Sequence, residues 1–533
     1  MSGNIQLNFF KLFKRNLKTG FTITNNKGHR NFSSKLKLKK NEYKSVIGLE
    51  IHAQILSESK LFSGAKNTFA SEINSCVSLL DAAIPGCLPA LNKRCVEAGV
   101  KTALALNCVI NKVSMFDRKH YFYSDLPAGY QITQQKAPLA GKGCLTFPVL
   151  TPMKNSKPYY KTVRIHQIQL EQDSGKSLHD DELKISLIDL NRAGVPLMEL
   201  VFEPDLDDGE EAAALVKELI LIFSSLQTCS CKMEEGALRV DANVSIHKEG
   251  EPLGIRTEIK NIGSVRGVAQ AIAYEIERQT IVKNDGGIII NETRQWDAIS
   301  KTTIPMRDKE VVQDYRYMPE PNLLPLHLNM DSNKSDELVN VKSIEKSLPI
   351  LPQGLRNELI NKYKLSETTA IIIVNDSVLH KFFQDIINTN HARSPKLVTN
   401  ILINELLTTC NKNKTDLEKC PIDSERLGEL IDMLESQELS LNLARLVLQE
   451  MFHSQKSAQV IATENNWKQI SSDEEIRKVC EEILATEAGQ KMHQQFKSGK
   501  SKILFAIAGE IKNKTNNRIN MAKVMETLKE LLK

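Results

Sequence analysis

Acidic and imidazole side chains alternate with apolar residues in the segment VIGLEIHAQI, residues 46–55. In a β-strand, alternate residues share a face and each residue rises about 3.3 Å, so Glu50 and His52 would lie on one face roughly 6.6 Å apart. Two such groups can share one hydrated divalent cation, provided that other strands bring more carboxylates to the same place. Taken alone, the pair also fits the solvated face of a half-buried sheet, so the other strands must decide.

Polar side chains also occupy one face of two later strand candidates, LRVDANVSIH and IRTEIKN, at residues 238–247 and 255–261. The short turn between them predicts an antiparallel pair, which would place the two polar faces side by side. The chemically useful residues on these faces are Arg239, Asp241, Asn243, Ser245, Glu258 and Lys260. Acidic oxygens for a hard cation, amide and hydroxyl groups and fixed positive charge are together what phosphoryl transfer requires.

A fourth strand candidate begins at Val163 and ends in Glu171, Gln172 and Asp173. The Gly-Lys-Ser that follows it resembles the end of a Walker A motif, but Leu170 stands where that motif needs its first glycine. The sequence also lacks the glycine-rich, HRD and DFG runs of protein kinases. If the protein uses ATP, a sheet that binds Mg²⁺ must therefore position it.

These strands lie in a segment of mixed periodicity that ends near Met330, after which only helical periodicity remains. Amphipathic helices are predicted at residues 210–226 and 265–282, the first after the acidic cap residues Asp207 and Asp208. The predicted fold class is an α+β catalytic cradle on antiparallel sheet, followed by all-α domains. The predicted boundaries are 1–40 for a leader, 41–335 for the cradle, 336–455 for a helical domain and 456–533 for a helical tail.

The charge of the chain is concentrated in its first 40 residues, which hold ten Lys and Arg and no acidic residue. The remainder has 60 basic against 65 acidic residues and is mildly acidic. The leader resembles a mitochondrial transit peptide with Ser33 as the first mature residue, which predicts a location in the mitochondrial matrix. A disordered basic tail is the alternative. Because no apolar run is long enough for a membrane span, no membrane partner is expected.

The ten cysteines are scattered without a CxxC pair, so a zinc site is not expected and most should be reduced thiols. Residues 497–533 carry nine Lys and Arg against three Glu, a composition that suits RNA phosphates but equally a solvated face. The candidate RNA-binding residues there are Lys500, Lys502, Lys512, Lys514 and Arg518. Because Phe505 is the one aromatic residue of this stretch, base stacking is not expected in it.

Long motifs of the chain resemble the B subunit of the glutamyl-tRNA(Gln) amidotransferase family, in its mitochondrial form. These motifs are VIGLEIHAQI, FDRKHYFYSDLPAGYQITQ, LIDLNRAGVPLMELVFEPD, KMEEGALRVDANVSI, TEIKN, NETRQWD and QDYRYMPEPNLLPL. The resemblance implies that ATP phosphorylates the γ-carboxylate of Glu-tRNA(Gln) and that ammonia displaces the phosphate to give Gln-tRNA(Gln). It implies a heterotrimer in which the partners are the glutaminase, or A, subunit and the small C subunit, and it implies contact of the helical tail with tRNA.

By resemblance, the site residues are taken from the polar strand faces. The residues assigned both to metal binding and to catalysis are Glu50, His52, Glu171, Asp241 and Glu258. Lys260 is assigned to catalysis alone. The residues assigned to ATP binding are Arg239, Asn243 and Ser245. The expected cofactors are ATP and Mg²⁺.

One position departs from the family pattern, since bacterial members typically read Glu-Glu-Asp where this chain reads Glu171-Gln172-Asp173. Glu171 shares a strand face with Gln169, whereas Gln172 is in phase with Leu170, so Glu171 is the predicted ligand and Gln172 lies behind it. A neutral residue here leaves a second hypothesis, a tRNA-binding scaffold whose metal site has decayed. A free-standing amidase is disfavoured because no Ser-Ser-Lys pattern is visible.

Overall fold

The computed structural model describes residues 42–150, 157–308, 314–331, 339–470, 472–497, 503–515 and 518–532. The predicted transit peptide and its cleavage site at Ser33 lie outside these residues. A search of the described helices finds none with the length and apolar character needed to cross a membrane. The described chain forms two compact units that divide between Leu355 and Arg356. The domain boundaries at residues 335 and 455 stay predictions.

The first unit is built on a mixed sheet of nine strands in the order β13-β12-β11-β10-β1-β9-β6-β5-β2. A second sheet contains β14, β3, β15 and β4, and β7 pairs with β8 as a separate hairpin. The strands are β1 (Tyr43–Gln54), β2 (Val109–Ile110), β3 (Val113–His120), β4 (Tyr130–Ala137), β5 (Ala140–Val149), β6 (Tyr159–Gln172), β7 (Lys176–Asp180), β8 (Ile185–Asp189), β9 (Pro196–Phe202), β10 (Leu238–Lys248), β11 (Thr257–Lys260), β12 (Glu292–Asp297), β13 (Thr302–Asp308), β14 (Met318–Pro319) and β15 (Leu326–His327).

Every strand pair of the large sheet is antiparallel except β11 with β12. The predicted antiparallel pair of β10 and β11 is confirmed, with Ala242 opposite Ile259. The predicted α+β class, with antiparallel sheet followed by helices, is likewise confirmed.

One face of the large sheet is apolar because period-2 alternation places Leu49 and Ile51 of β1 beside Val240 and Ala242 of β10. The described residues of this unit contain α1 (Lys93–Ala105), α2 (Gly209–Leu226), α3 (Val265–Asn284), the short α4 (Val341–Lys346) and a 3₁₀ turn, Met233–Glu235. The sheet residues and the apolar sides of these helices form one continuous core. The predicted cap of α2 is Asp208, whose side chain accepts a hydrogen bond from the Glu211 amide at 2.8 Å.

The opposite face of the sheet is polar and carries the chemistry-bearing side chains. The register places Glu50 opposite Asp241, and His52 opposite both Arg239 and Glu199. The second sheet flanks this face through β4, where Gln131 donates to the Gln172 carbonyl at 2.9 Å. The polar face is therefore the floor of a cleft, and the second sheet is one of its walls.

A buried ion pair fastens the long loop after β1. The Lys60 ammonium lies 3.0 Å from the Asp81 carboxylate, and the two side chains are 0% and 3% exposed. Gly194 packs against this pair with a φ of +80°, and a Cβ at Gly194 would lie 2.6 Å from Asp81 Oδ1. Both the backbone conformation and the lack of space therefore require glycine at this position.

The second unit, from Arg356 onward, is helical in all of its described residues apart from connections, two short 3₁₀ or π segments and one isolated bridge. Its α-helices are α5 (Pro352–Asn361, which begins just before the unit boundary), α6 (Glu367–Val374), α7 (Ser377–Thr389), α8 (Pro395–Asn400), α9 (Leu407–Lys412), α10 (Ser424–Glu435), α11 (Leu441–His453), α12 (Ala458–Glu464), α13 (Asp473–Leu484), α14 (Glu487–Lys497), α15 (Ile503–Lys514) and α16 (Met521–Leu531). Helices α13, α15 and α16 share a hydrophobic core that includes Ile476, Ile507 and Leu528.

Candidate active site

Three potential cation ligands meet at the centre of the polar face. His52 Nε2 lies 3.6 Å from Glu50 Oε1 and 3.9 Å from Glu199 Oε2. One ligand atom from each residue lies within 4.8 Å of the others. Gln169 donates to Glu199 Oε2 at 2.5 Å and fixes this carboxylate from the neighbouring strand β6. The central cluster, defined as Glu50, His52 and Glu199, thus comes from two adjacent strands.

Burial and neighbouring charges decide the protonation of the central cluster. Burial, then the Glu171 and Glu50 carboxylates, raise the pKa of Glu199 well above its usual range. Burial and the Asp241 carboxylate also raise the pKa of Glu50. Burial lowers the pKa of His52 well below its ordinary value, and nearby cationic groups add to this effect. The imidazole is therefore neutral, as a metal ligand must be.

A lysine and two carboxylates form a second group beside the central cluster. Lys260 Nζ lies 2.6 Å from Asp241 Oδ2 and 3.1 Å from Glu258 Oε1. Thr293 of β12 donates to Glu258 Oε2 at 2.9 Å. Burial opposes the charge of Lys260, but the Asp241 and Glu258 carboxylates outweigh it and raise its pKa. The cleft therefore holds a fixed positive charge next to the candidate cation ligands.

A second lysine enters the cleft from strand β3 of the flanking sheet. Lys119 Nζ lies 3.7 Å from Glu171 Oε2, an oxygen that is buried and accepts no hydrogen bond. Burial opposes the charge of Lys119, but the Glu171 and Glu199 carboxylates outweigh it and raise its pKa. Because this oxygen has an ion-pair contact but no hydrogen bond, it can accept an additional donor or a cation.

A guanidinium group completes the charged lining. Arg239 Nη2 donates to Asp173 Oδ2 at 3.0 Å, and Arg192 Nε lies 3.7 Å from the same oxygen. Burial opposes the charge of Arg239, but the Asp173 carboxylate outweighs it and raises its pKa. Arg239 is thus held as a cation at the edge of the cleft.

The central cluster, the two lysines, Arg239 and the carboxylates that pair with them line one open cleft of about 650 Å³. That volume suits a small-molecule or nucleotide ligand. Tyr121, Tyr315 and Tyr317 form its aromatic side. Burial raises the pKa of Tyr317 to about 12, and it also raises the pKa of Tyr121, so both phenols are protonated at neutral pH.

The structure brings most of the predicted site residues together. Predicted residues that line the cleft are Glu50, His52, Glu171, Arg239, Asp241, Glu258 and Lys260. Asn243 and Ser245 lie further along β10 and are not part of the lining. Glu171 lines the cleft and Gln172 does not, as the strand phase predicted. Which of these residues bind metal or ATP stays a prediction.

Sequence reasoning missed Glu199, Lys119 and Asp173 as site residues. Glu199 had a readable signal, because it is the one charge in the buried strand PLMELVF, and an isolated buried charge usually has a function. No local sequence pattern pointed to Lys119, because it reaches the cleft only through the packing of the second sheet against the first. The sequence showed Asp173 only as the last residue of a predicted strand. Its contact with Arg239 depends on the order and register of the strands, which the sequence did not give.

The candidate RNA-binding residues of the helical unit have different surroundings. Lys512 and Lys514 are exposed at the end of α15, and Lys514 pairs with Glu482 at 3.0 Å. Arg518 donates to the Asn466 carbonyl at 3.0 Å and so has a structural contact. Lys500 and Lys502 lie outside the described residues.

The donor set of the central cluster fits a hydrated divalent cation. Two carboxylates and a neutral imidazole supply one nitrogen and several oxygen ligands, and the orphaned Glu171 oxygen adds a further acceptor nearby. Ammonium and guanidinium groups on the same floor suit an anionic substrate. A cleft with this lining has the donors and the positive charge that an enzyme acting on phosphate or carboxylate groups needs.

Comparison with known proteins agrees with this class. Residues 45–334, more than half of the chain, match the family model of the GatB/GatE catalytic domain, and residues 381–532 match that of the GatB domain. The chain is 58% identical to the B subunit of the mitochondrial glutamyl-tRNA(Gln) amidotransferase of Aedes aegypti, over 92% of this chain and 94% of the relative. The chain belongs to the GatB family, the B subunits of these amidotransferases.

Two further relatives show the breadth of this similarity. The B subunit of the human mitochondrial glutamyl-tRNA(Gln) amidotransferase is 44% identical over 93% of this chain and 90% of its own length. The B subunit of the aspartyl/glutamyl-tRNA(Asn/Gln) amidotransferase of Rickettsia canadensis is 43% identical over 92% of this chain and 98% of its own length. The similarity therefore includes both the sheet unit and the helical unit.

Proposed function

We propose that this chain is the amide-forming subunit of a glutamyl-tRNA(Gln) amidotransferase. In this proposal it uses ATP and Mg²⁺ to activate the glutamyl group of Glu-tRNA(Gln) and joins ammonia to it. The observation that carries the proposal is the meeting of the central cluster with the partly buried ammonium groups of Lys119 and Lys260 in one cleft. Membership of the GatB family supports the same reaction.

The reaction needs activation because a carboxylate is a poor acceptor for ammonia, as its leaving group would be oxide. One oxygen of the γ-carboxylate attacks the γ-phosphorus of ATP, the bond to the bridging oxygen breaks, and ADP leaves. Ammonia then attacks the acyl carbon of the resulting acyl phosphate. Phosphate departs with the bonding electron pair, and the nitrogen loses a proton to give the amide of Gln-tRNA(Gln).

The floor of the cleft can serve both halves of this reaction. Mg²⁺ held by the central cluster would offset the charge of the phosphate groups. We assign Lys260 and Lys119 to phosphate or carboxylate oxygens of the substrates, because each is kept protonated at a fixed place. Arg239 offers a paired set of donors to the same oxygens. Asp241 and Glu258 hold Lys260 in position, and Glu171 does the same for Lys119.

The proposal includes partners and a location. The relatives are named as B subunits, which supports an enzyme of several subunits, and we propose two partners: the glutaminase, or A, subunit, which supplies ammonia, and the small C subunit. The mitochondrial relatives support a mitochondrial location, and we place the protein in the matrix. Exposed lysines of the helical tail would contact tRNA phosphates. The decayed-scaffold hypothesis is not favoured, because the neutral Gln172 lies outside the cleft lining.

Substitution of His52 tests the proposal in the complex purified with its partner subunits. His52→Ala should lower ATP-dependent formation of Gln-tRNA(Gln) by at least about 10- to 100-fold, because the loss of a residue that merely orients a metal ligand already costs that much. Glutamine hydrolysis should remain measurable, since it belongs to another subunit. His179→Ala, at an exposed histidine of β7, is the matched control. Normal amidation by His52→Ala would contradict the proposed site.

A further inference from the structure

Three tyrosine rings form a continuous aromatic wall along one side of the cleft. The ring centroids of Tyr121 and Tyr315 are 6.2 Å apart, and those of Tyr315 and Tyr317 are 6.1 Å apart. Both pairs meet edge to face, with interplanar angles of 78° and 63°. Tyr123 extends the series outward, with its centroid 5.5 Å from that of Tyr121. Tyr121, Tyr315 and Tyr317 together are the tyrosine wall, and all three line the cleft.

Backbone hydrogen bonds fix both segments that supply the wall. The His120 amide donates to the Tyr315 carbonyl at 2.8 Å, which joins the 314–317 segment to the end of β3. The Tyr121 amide donates to the Gly129 carbonyl at 3.1 Å. The backbone that carries the rings is therefore held in place by these bonds, and a fixed surface loses less conformational entropy on binding than a mobile one does.

The tyrosine wall adjoins the charged floor through Lys119. The Lys119 ammonium lies 5.4 Å from the centre of the Tyr315 ring and 3.7 Å from Glu171 Oε2. The remainder of the described lining is mostly charged or amide side chains, with Leu197 and Val201 as its aliphatic members. The cleft thus has charged side chains on its floor and three aromatic rings on one side.

A cleft with charged groups on its floor and aromatic rings on one side suits a nucleotide, because the phosphates and the base need different surroundings. Stacking of a base on an aromatic side chain is worth about 1–3 kcal/mol, which is roughly a 5- to 150-fold difference in affinity. A packing role alone would not require half-buried rings that face open solvent in a cleft of about 650 Å³. An aromatic wall beside a phosphate-binding floor is therefore better explained by a base than by packing.

We propose that the tyrosine wall binds the adenine ring of an adenosine whose phosphate or ester end lies on the charged floor. The adenine would stack on the face of one tyrosine and contact the neighbouring rings at their edges. This inference rests on the proposed function, which brings two adenosines to the cleft: that of ATP and the terminal one of the tRNA acceptor end. The shared chemistry is an adenine base on the Tyr121, Tyr315 and Tyr317 rings. The two sources are separated by experiment.

Direct binding of ATP to the purified complex tests the first source. In isothermal titration, Tyr315→Leu and Tyr317→Leu should weaken Mg·ATP binding by about tenfold or more, whereas Tyr315→Phe, which keeps the ring, should not. Inorganic tripolyphosphate has the charge but no base, so its affinity should be the same in all variants. Phe122→Leu is the matched control, because Phe122 is 86% exposed in the same loop and lies outside the cleft lining.

Competition between two forms of uncharged tRNA tests the second source. One form ends in the terminal adenosine and the other lacks only this nucleotide. If the wall holds the tRNA end, the wild-type complex should prefer the complete form, and Tyr315→Leu should remove that preference without changing Mg·ATP affinity.

The ATP titration and the tRNA competition both measure binding, so they test the inference independently of catalytic activity. A loss confined to ATP, or to the terminal adenosine, supports adenosine stacking and names its source. Unchanged affinity for both in Tyr315→Leu and Tyr317→Leu overturns it, as does an equal loss for tripolyphosphate. If the wild-type complex binds Mg·ATP on this wall but forms no Gln-tRNA(Gln), the proposed function fails while the inference stands.

Discussion

Replacement of Glu199 by glutamine separates the charge of the central cluster from its shape. The glutamine side chain would keep the size of the native one and its contact with Gln169 while removing the negative charge that Glu199 carries when it binds a cation. The His52 nitrogen lies 3.6 Å from Glu50 and 3.9 Å from Glu199, so a bound cation would be close to both carboxylates. Glu199→Gln should therefore weaken cation binding without opening a cavity.

The size of the loss follows from electrostatics. One pair of unit charges about 4 Å apart is worth about 4 kcal/mol at an effective dielectric constant of about 20. Removing the charge also removes its unfavourable burial, so we expect a net loss of about 2–4 kcal/mol, or about 30- to 800-fold in apparent Mg²⁺ affinity. Amidation should accordingly require much more Mg²⁺ for half-maximal rate.

The same substitution should not destabilise the fold. Burial raises the pKa of Glu199 in the folded state, so the folded protein binds its proton more tightly than the unfolded chain does. Its contribution to stability is present below the ordinary pKa and decreases as pH rises toward the folded-state value. At neutral pH, Glu199→Gln should leave the melting temperature equal or raise it.

The assays are a Mg²⁺ titration of amidation and thermal unfolding of the same complex. Glu277→Gln, at an exposed glutamate of α3, is the control for loss of one negative charge. An unchanged Mg²⁺ requirement in Glu199→Gln would refute its role as a ligand. A melting temperature clearly below that of the control would refute the electrostatic argument.

Three further substitutions test other parts of the structure. Asp81→Asn should lower the free energy of unfolding by about 3–5 kcal/mol, because it leaves the buried Lys60 without its ion-pair partner. Denaturant titration measures this, and a change below about 1 kcal/mol would contradict it. Thr293→Val should reduce the amidation rate without altering glutamine hydrolysis, because Glu258 loses the 2.9 Å hydrogen bond from Thr293. An unaltered amidation rate would argue against a positioning role of Thr293. The double substitution Lys512→Gln and Lys514→Gln should reduce the slope of log affinity for tRNA against log salt concentration by about 0.7–0.9 per lost phosphate contact. An identical slope would show that these lysines are solvated surface residues without a phosphate contact.

Truncation of residues 497–533 is a less selective test of tRNA binding than these lysine substitutions. Leu504, Ile507, Ile511 and Leu528 are buried in the shared core of α13, α15 and α16. Their loss would expose the apolar side of α13 and disturb the tail, so weaker tRNA binding would not report on the lysines alone. Neutral substitutions at exposed positions leave this core intact.

Much of the sheet unit could be predicted because its strands alternate strictly. The segment around Glu50 and His52 and the pair β10–β11 have one apolar and one polar face, and period-2 alternation fixes which residues share a face. The preference for Glu171 over Gln172 as the cleft residue came from the same rule. Asn243 and Ser245 share that face, but position along the strand places them beyond the cleft.

The residues missed in the sequence depend on contacts between distant segments. Glu199 joins Glu50 and His52 because β9 lies beside β1, an order that the chain does not reveal: more than 140 residues separate the two strands. Lys119 enters the cleft because a second sheet packs against the first, and its charge is kept by carboxylates on other strands.

The sequence by itself determined the α+β and helical halves, the polar face of each strand and the type of chemistry, because local periodicity and side-chain type are properties of short segments. Tertiary structure alone decided which polar faces meet, which carboxylates are orphaned or paired, and that three tyrosines form one wall. Those features depend on strand order, register and the packing of two sheets, which arise from long-range contacts rather than from any local pattern.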